Sequence, residues 1–297
     1  MSSIVMMNEP LQRITLPSGA SVAWREAGEG PPLLLLHGHP QTHLIWHKLW
    51  PELTKRWRCI APDLRGYGDS DRPASAPPHD PYTKRAMAQV LVDFMVARGH
   101  ARFQVLAHDR GARVAHRLGL DHPQAVERLM LLDIAPTLDM YAGTNATFAR
   151  QYFHWFFLIQ PAPLPETLIS ADPVTYVRSV MGGRRAGLAP FAPEIMAEYE
   201  RCARSPGWAH GVCEDYRAAA TTDLDHDRAS RDAGQKLDCP VRVLWGKLGV
   251  VEQHFDVPAL WAAQCREVSA RAVPCGHYIP EEAPDELLAE VLAFFKS

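Results

Sequence analysis

The stretch VLAHDRGARVAHRLG, residues 105–119, decides the fold. It opens with an apolar, strand-like run, Val105-Leu106-Ala107. At His108-Asp109-Arg110-Gly111 it turns into a pattern with helical spacing. Ala107-x-Asp109-x-Gly111 places small residues two before and two after the apex. A sharp strand-to-helix turn needs this, because larger side chains there would collide with neighbouring backbone. Such a turn presents its apex side chain at the top of a sheet, at a helix N-terminus. The apex here is a carboxylate, which can attack carbon and form an ester. By itself the pattern fits equally an Asp that caps the next helix.

Working outward, the pattern of strand then helix recurs. TLPSGASVAWREAG (15–28) alternates around Ser-Gly and predicts a hairpin. PPLLLLHGHPQT (31–42) and RCIAPDLRGYGDSD (58–71) each begin as continuous apolar runs, as expected of strands buried on both faces. LIWHKLWPELTKRW (44–57) and YTKRAMAQVLVDFMVARGH (82–100) have helical spacing. ERLMLLDIAP (127–136), CPVRVLWGKLG (239–249) and SARAVPCGH (269–277) add strands, and PDELLAEVLAFFKS (284–297) predicts a closing helix. Strands alternating with helices imply an α/β fold with a mostly parallel sheet flanked by helices. Residues 137–235 break the alternation, being aromatic, Pro-rich and helical. They are expected to form a helical cap inserted after the sixth core strand, with residues 1–136 and 236–297 as the core. Open α/β sheets bind ligands beyond the carboxyl ends of their strands, where such a cap would sit.

Bulk properties narrow the function classes. Of 297 residues, 31 are Lys or Arg and 34 Asp or Glu, a net charge of −3. This gives no basis for a nucleic-acid or membrane partner. The six cysteines form no C-x-x-C or zinc spacing, and no apolar run is long enough to span a bilayer. MSSIVMMNEP at the N-terminus lacks the pattern of a signal peptide. A cytoplasmic location is expected.

Cys275-Gly276-His277 follows the last strand. A His there, after an apex nucleophile and an intervening acid, matches the order nucleophile, acid, base of the α/β-hydrolases. HGHP (37–40) lies where that fold places an oxyanion-hole amide, so the backbone N–H groups of His39 and Arg110 are assigned to that hole. The acid has two candidate positions. Many of these enzymes carry it after the strand that here ends Trp245-Gly246, but the position holds Gly249. The other follows the preceding core strand, where LMLLDIAP supplies Asp133. Asp133 is the expected partner of His277, with Glu252 as the alternative.

The chain resembles the fluoroacetate dehalogenases within this superfamily over nearly its whole length. The resemblance lies in HGHPQTHLIWH (37–47), DLRGYGDSDRP (63–73), HDRGARVAHR (108–117), HWFFLIQPAPLPE (154–166), CEDYRA (213–218) and GHYIPEEAPD (276–285). HDRGAR followed by a cap HW and a later CEDYR is the specific part. The resemblance implies Asp109 as nucleophile and Arg110 and Arg113 as the substrate-carboxylate clamp. It implies His154, Trp155 and Tyr216 as halide donors, a homodimer formed through the cap, and neither metal nor cofactor. His39 departs from a family that often has Phe there.

Elementary chemistry agrees with those roles. Arg110 and Arg113 are three apart, on one face of a helical turn. Two guanidinium groups offset the repulsion between an anionic nucleophile and an anionic substrate. Arg117, one turn further, reads as structural. A site that expels fluoride needs N–H or O–H donors aimed at its growing charge. The expected activity is hydrolytic dehalogenation of fluoroacetate and other small 2-haloacids to glycolate and halide. The rival is an epoxide hydrolase using Tyr216 with Tyr152 or Tyr141, which would leave the two arginines without an anion. A haloalkane dehalogenase would typically carry Trp where Arg110 stands. The apex Asp excludes a serine esterase at this elbow, and a pure ligand receptor would not need Asp109, His277 and Asp133 together.

Overall fold

Eight strands form one sheet in the computed structural model, which describes residues 4–296. They are β1 (Gln12–Thr15), β2 (Ser21–Ala27), β3 (Pro32–Leu36), β4 (Arg58–Pro62), β5 (Phe103–His108), β6 (Val126–Leu132), β7 (Val241–Gly246) and β8 (Val268–Val273). Their order across the sheet is β1-β2-β4-β3-β5-β6-β7-β8. The β1–β2 and β2–β4 pairs are antiparallel and the other five are parallel. This is the mostly parallel α/β sheet expected from the alternation. The central register aligns Leu34 with Val105, Val105 with Leu129 and Leu129 with Val241. Every residue of β5 is buried, which accounts for its near-continuous apolar run.

The amphipathic run after β4 forms the helix Lys84–Ala97, and the C-terminal segment forms Pro284–Phe294. One expectation is corrected. The helical spacing over 44–57 yields only a 3-10 turn, His43–Trp46, and a single-turn helix, Trp50–Leu53. Pro51 has no N–H, and its ring would clash with the carbonyl four residues back, so one continuous helix cannot form.

Between β6 and β7 the chain makes a wholly helical excursion. Among the described residues it runs through eight helices, from Thr137–Ala142 to Thr222–Asp232. Prolines at 165, 173 and 193 sit in first turns, where a missing N–H costs nothing. This excursion brings His154, Tyr176, Trp208 and Tyr216 against the ring of His39, at the end of β3.

Candidate active site

The turn after β5 takes the strained form that its small residues permit. Asp109 has φ 46°, and the helix Asp109–Asp121 starts there. A non-glycine residue in this region costs about 1–3 kcal/mol, and the surrounding packing must hold it. Gly111 makes the close approach possible, because a Cβ there would lie 2.3 Å from the carbonyl oxygen of His37. Gly38 is equally constrained, with a Cβ placed 2.5 Å from that of Asp109. The next residue, His39, donates its backbone N–H to Asp109 Oδ2 at 3.0 Å. Oδ1 is therefore the oxygen that this amide leaves free.

Burial alone would raise the Asp109 pKa. The nearby His277, His108, Arg113 and Arg110 outweigh it and hold the carboxyl well below the usual range. Asp109 is thus an anion across all ordinary pH.

His277 lies in the loop after β8. Its Nδ1 is 2.5 Å from Asp133 Oδ2, while Asp133 Oδ1 accepts the Gly246 N–H at 2.8 Å. Asp133 itself has φ 52° at the end of β6. Glu252 lies elsewhere, on the indole N–H of Trp245 and the ammonium of Lys247. His108 donates its Nε2–H to the His277 carbonyl, 2.9 Å away, because a carbonyl can only accept. Burial pushes the His108 pKa down to about 4.

The two arginines differ in a way that sequence does not show. Arg110 is fully buried and already paired. Its Nε donates to Asp215 Oδ2 at 2.7 Å, and its Nη2 to Asp215 Oδ1 at 3.0 Å. Tyr67 donates to the same carboxylate at 2.7 Å, and Lys84 pairs with it too. Only Nη1 of Arg110 has no partner among the described residues, and the guanidinium lies 4.0 Å over the Tyr216 ring. Among the described residues Arg113 has no carboxylate partner. It donates to the Ala135 carbonyl at 3.1 Å and to Thr137 Oγ1 at 3.0 Å, its Nε is unpartnered, and it lies 4.7 Å over Trp155. Burial, and then the charge of Arg110, lower its pKa. Arg117 pairs with Asp121 and Asp227, as a structural residue would.

The helical excursion supplies the opposite wall. His154 and Trp155 lie 5.9 and 6.3 Å from Tyr216, ring centre to ring centre. Trp155 Nε1, Tyr216 Oη and Tyr141 Oη are buried without partners among the described residues. The Tyr216 pKa is raised well above 10, by burial and then by Asp109, so it stays a donor. His39 stacks on His154 at 5.9 Å and shares a hydrogen bond of 3.0 Å with Tyr176. Burial pushes His39 down to about 3 and His154 well below 6.5, so both rings are neutral. Among the described residues no cluster of His, Cys, Asp or Glu is arranged to hold a metal.

The family model for the alpha/beta hydrolase fold matches residues 31–284. The chain belongs to the α/β-hydrolase family. This hydrolase is 41% identical to a fluoroacetate dehalogenase from Burkholderia sp, over 91% of its own length and 88% of the relative's. It is 32% identical to a soluble epoxide hydrolase from Corynebacterium sp. (strain C12), over 98% and 99%. The solved structure of ALR0039 from Nostoc sp PCC 7120 superposes with a TM-score of 0.94 at 50% identity, covering 97% of this chain and 98% of that one.

Sequence reasoning missed Asp215, Lys84 and Tyr67. Asp215 lay inside the CEDYRA motif beside Tyr216. A buried arginine at a helix start needs an acid, and that need was the available signal.

Proposed function

We propose that this hydrolase is a haloacetate dehalogenase, cleaving the carbon–halogen bond of fluoroacetate and other small 2-haloacids. One observation carries the reading. Arg110 Nη1, Arg113 Nε, Trp155 Nε1, Tyr216 Oη and Tyr141 Oη are buried with no acceptor among the described residues, and Arg110, Arg113 and Tyr216 act electrostatically on Asp109 or feel its charge. Unsatisfied buried donors cost about 1–3 kcal/mol each, so a set of them suits an anion. The substrate brings one anion, its carboxylate, and the reaction makes another, the halide.

Arg113 and the free Nη1 of Arg110 hold the carboxylate. His154, Trp155 and Tyr216 face the halide. Asp109 Oδ1 attacks C2, the carbon–halogen bond breaks, and the halide leaves with the bonding pair. The product is a glycolyl ester of Asp109. His277, fixed through Nδ1 by Asp133, takes a proton from water at Nε2. The hydroxide adds to Cγ of Asp109, and the charge that develops on Oδ2 is met by the His39 amide, with the Arg110 amide as the second donor. Collapse breaks the Cγ–Oδ1 bond. Glycolate takes the proton from His277, and the restored Asp109 carboxyl ionises, releasing one proton overall.

In this reading residues 137–235 are a cap domain on a core of 1–136 and 236–297. Phe153, Leu164 and Leu168, about half exposed on that cap, support a homodimer through it. Six unpaired cysteines support a reducing, cytoplasmic setting. A second reading, epoxide hydrolysis, draws on the free hydroxyls of Tyr216 and Tyr141. Halide-selective electrodes with fluoroacetate and chloroacetate, beside a diol assay on a neutral epoxide, test both. Fluoride release that vanishes in Asp109→Asn is the expected result. Epoxide opening without halide release would refute the anion-site reading.

A further inference from the structure

A loop of residues 183–192 joins the helices Pro173–Gly182 and Pro193–Ala203. Lys48 ties it to the core, donating to the carbonyls of Pro190 and Glu281 at 2.6 Å each. The loop carries Arg184, whose guanidinium lies 4.5 Å over the ring of Tyr152. Tyr152 in turn is 6.5 Å from the His277 ring, centre to centre. Arg184 Nε is buried without a partner, and among the described residues no carboxylate is within ion-pair distance of the guanidinium.

Beside Arg184 is a cavity of about 200 Å³. Arg184, Arg185, Gln151, Gln253 and His277 line it, with no Asp or Glu. It opens on the catalytic histidine, and its permanent charges are both guanidinium groups. This cation position is separate from the one proposed for the substrate carboxylate. Arg113 rests on Trp155 and bonds near Thr137, whereas Arg184 rests on Tyr152 beside His277. A two-carbon haloacid anchored on Arg113 would leave the second position unused.

We propose that Arg184 is a second anion-recognition point, and that the enzyme's substrates include 2-halo dicarboxylates. The near carboxylate sits at Arg113 and the far one at Arg184. A guanidinium fork matches a carboxylate in shape as well as charge. The cavity provides room for the additional carboxylate. The substrate class, though not the anion point, rests on the dehalogenase reading above.

The test separates binding from chemistry. Calorimetry with the unreactive acids succinate and acetate, on wild type, Arg184→Met and Arg184→Lys, reads the anion point alone. Halide release from 2-chlorosuccinate and chloroacetate reads the substrate class. Succinate is expected to bind wild type at least about tenfold more tightly than acetate. Arg184→Met should weaken succinate about tenfold to a hundredfold and lower the chlorosuccinate-to-chloroacetate ratio of kcat/KM by a similar factor. Arg184→Lys should recover part of both. Succinate binding no better than acetate, or equal weakening of the two by Arg184→Met, would overturn the proposal. Succinate binding that needs Arg184, with no halide released from either acid, would sustain the anion point and overturn the dehalogenase reading.

Discussion

Asp215→Asn tests whether Arg110 is held by a buried counter-ion. In the native protein Asp215 takes two bonds from the Arg110 side chain, one from Tyr67 and one from Lys84, and it has no solvent exposure. Asparagine keeps the shape but removes the charge, and its NH₂ must face one of these donors. Breaking a buried ion pair from one side costs about 3–5 kcal/mol. A folded domain has only about 5–15 kcal/mol to lose. At about 2–4 °C per kcal/mol for a chain somewhat shorter than this, the melting temperature should fall by roughly 6–20 °C. Acetate should act in the opposite sense. Wild-type Arg110 has one free nitrogen for an anion, whereas in the variant the whole guanidinium lacks a countercharge. Saturating acetate should therefore raise the melting temperature of Asp215→Asn by more than that of wild type. Differential scanning calorimetry with and without acetate measures both effects. A variant that melts within about 2 °C of wild type, with the same response to acetate, would refute the buried counter-ion.

Three further outcomes are expected. Trp155→Phe keeps the ring but loses its N–H donor; fluoride release should drop about tenfold to a hundredfold and chloride release less, since fluoride is the stronger acceptor. Equal losses would take Trp155 off the halide. In His277→Gln, rapid quench should show a burst of one halide per site, with a rate flat from about pH 5 to about pH 9. Without His277, Asp109 still has Arg113 and Arg110 beside it to favour its charged form on the acid side, Tyr216 is raised and stays protonated on the alkaline side, and His39, near 3, is already neutral. A burst that rises through about pH 6 would put a titrating histidine in the first step. Gly38→Ala would bring a methyl group to 2.7 Å from Asp109 Oδ2 and displace it. Steady-state halide release should fall at least about a hundredfold while the melting curve moves little, and retained activity would mean that the nucleophile tolerates the shift.

The parts of the fold legible in the sequence were those set by local sterics and by burial on both faces. β3, most of β5 and the second half of β6 announce themselves as apolar runs because they are covered on both sides. The turn at Asp109 shows in Ala107 and Gly111, and at Gly111 even a Cβ would run into the His37 carbonyl oxygen. The proximity of His277 to Asp133 followed from chain order on a known topology. Long-range charge pairing was not legible. Arg110 meets Asp215 across 105 positions, and no periodicity links them. The same holds for Arg184, which sits in a Gly-rich loop with no pattern of its own and gains meaning only from Tyr152 and the cavity beside His277.

Charge bookkeeping explains why the site needs more arginines than a simple clamp would suggest. Arg110 and Lys84 are answered by Asp215 and Asp223, so this cluster contributes little net field. Asp133 is committed to His277. What faces the substrate is the anion of Asp109 and the unpaired cations of Arg113 and Arg184. With Asp109 alone against Arg113, an incoming carboxylate would raise the net charge of a buried site to −1, which low polarity penalises heavily. With Arg184 included, one carboxylate brings the sum to zero. Alkylation neutralises Asp109 and creates a halide ion, so the sum is unchanged through the first step. A far carboxylate would take the site to −1, with Arg185 at the outer rim, where solvent screens the excess. The balance predicts that Arg184→Met, through the field alone, slows capture of a monocarboxylate at low salt by less than it slows capture of a dicarboxylate, and that added salt shrinks the monocarboxylate difference. Stopped-flow halide release across ionic strength reads this directly. A difference that persists undiminished at high salt would assign Arg184 a contact role without the field.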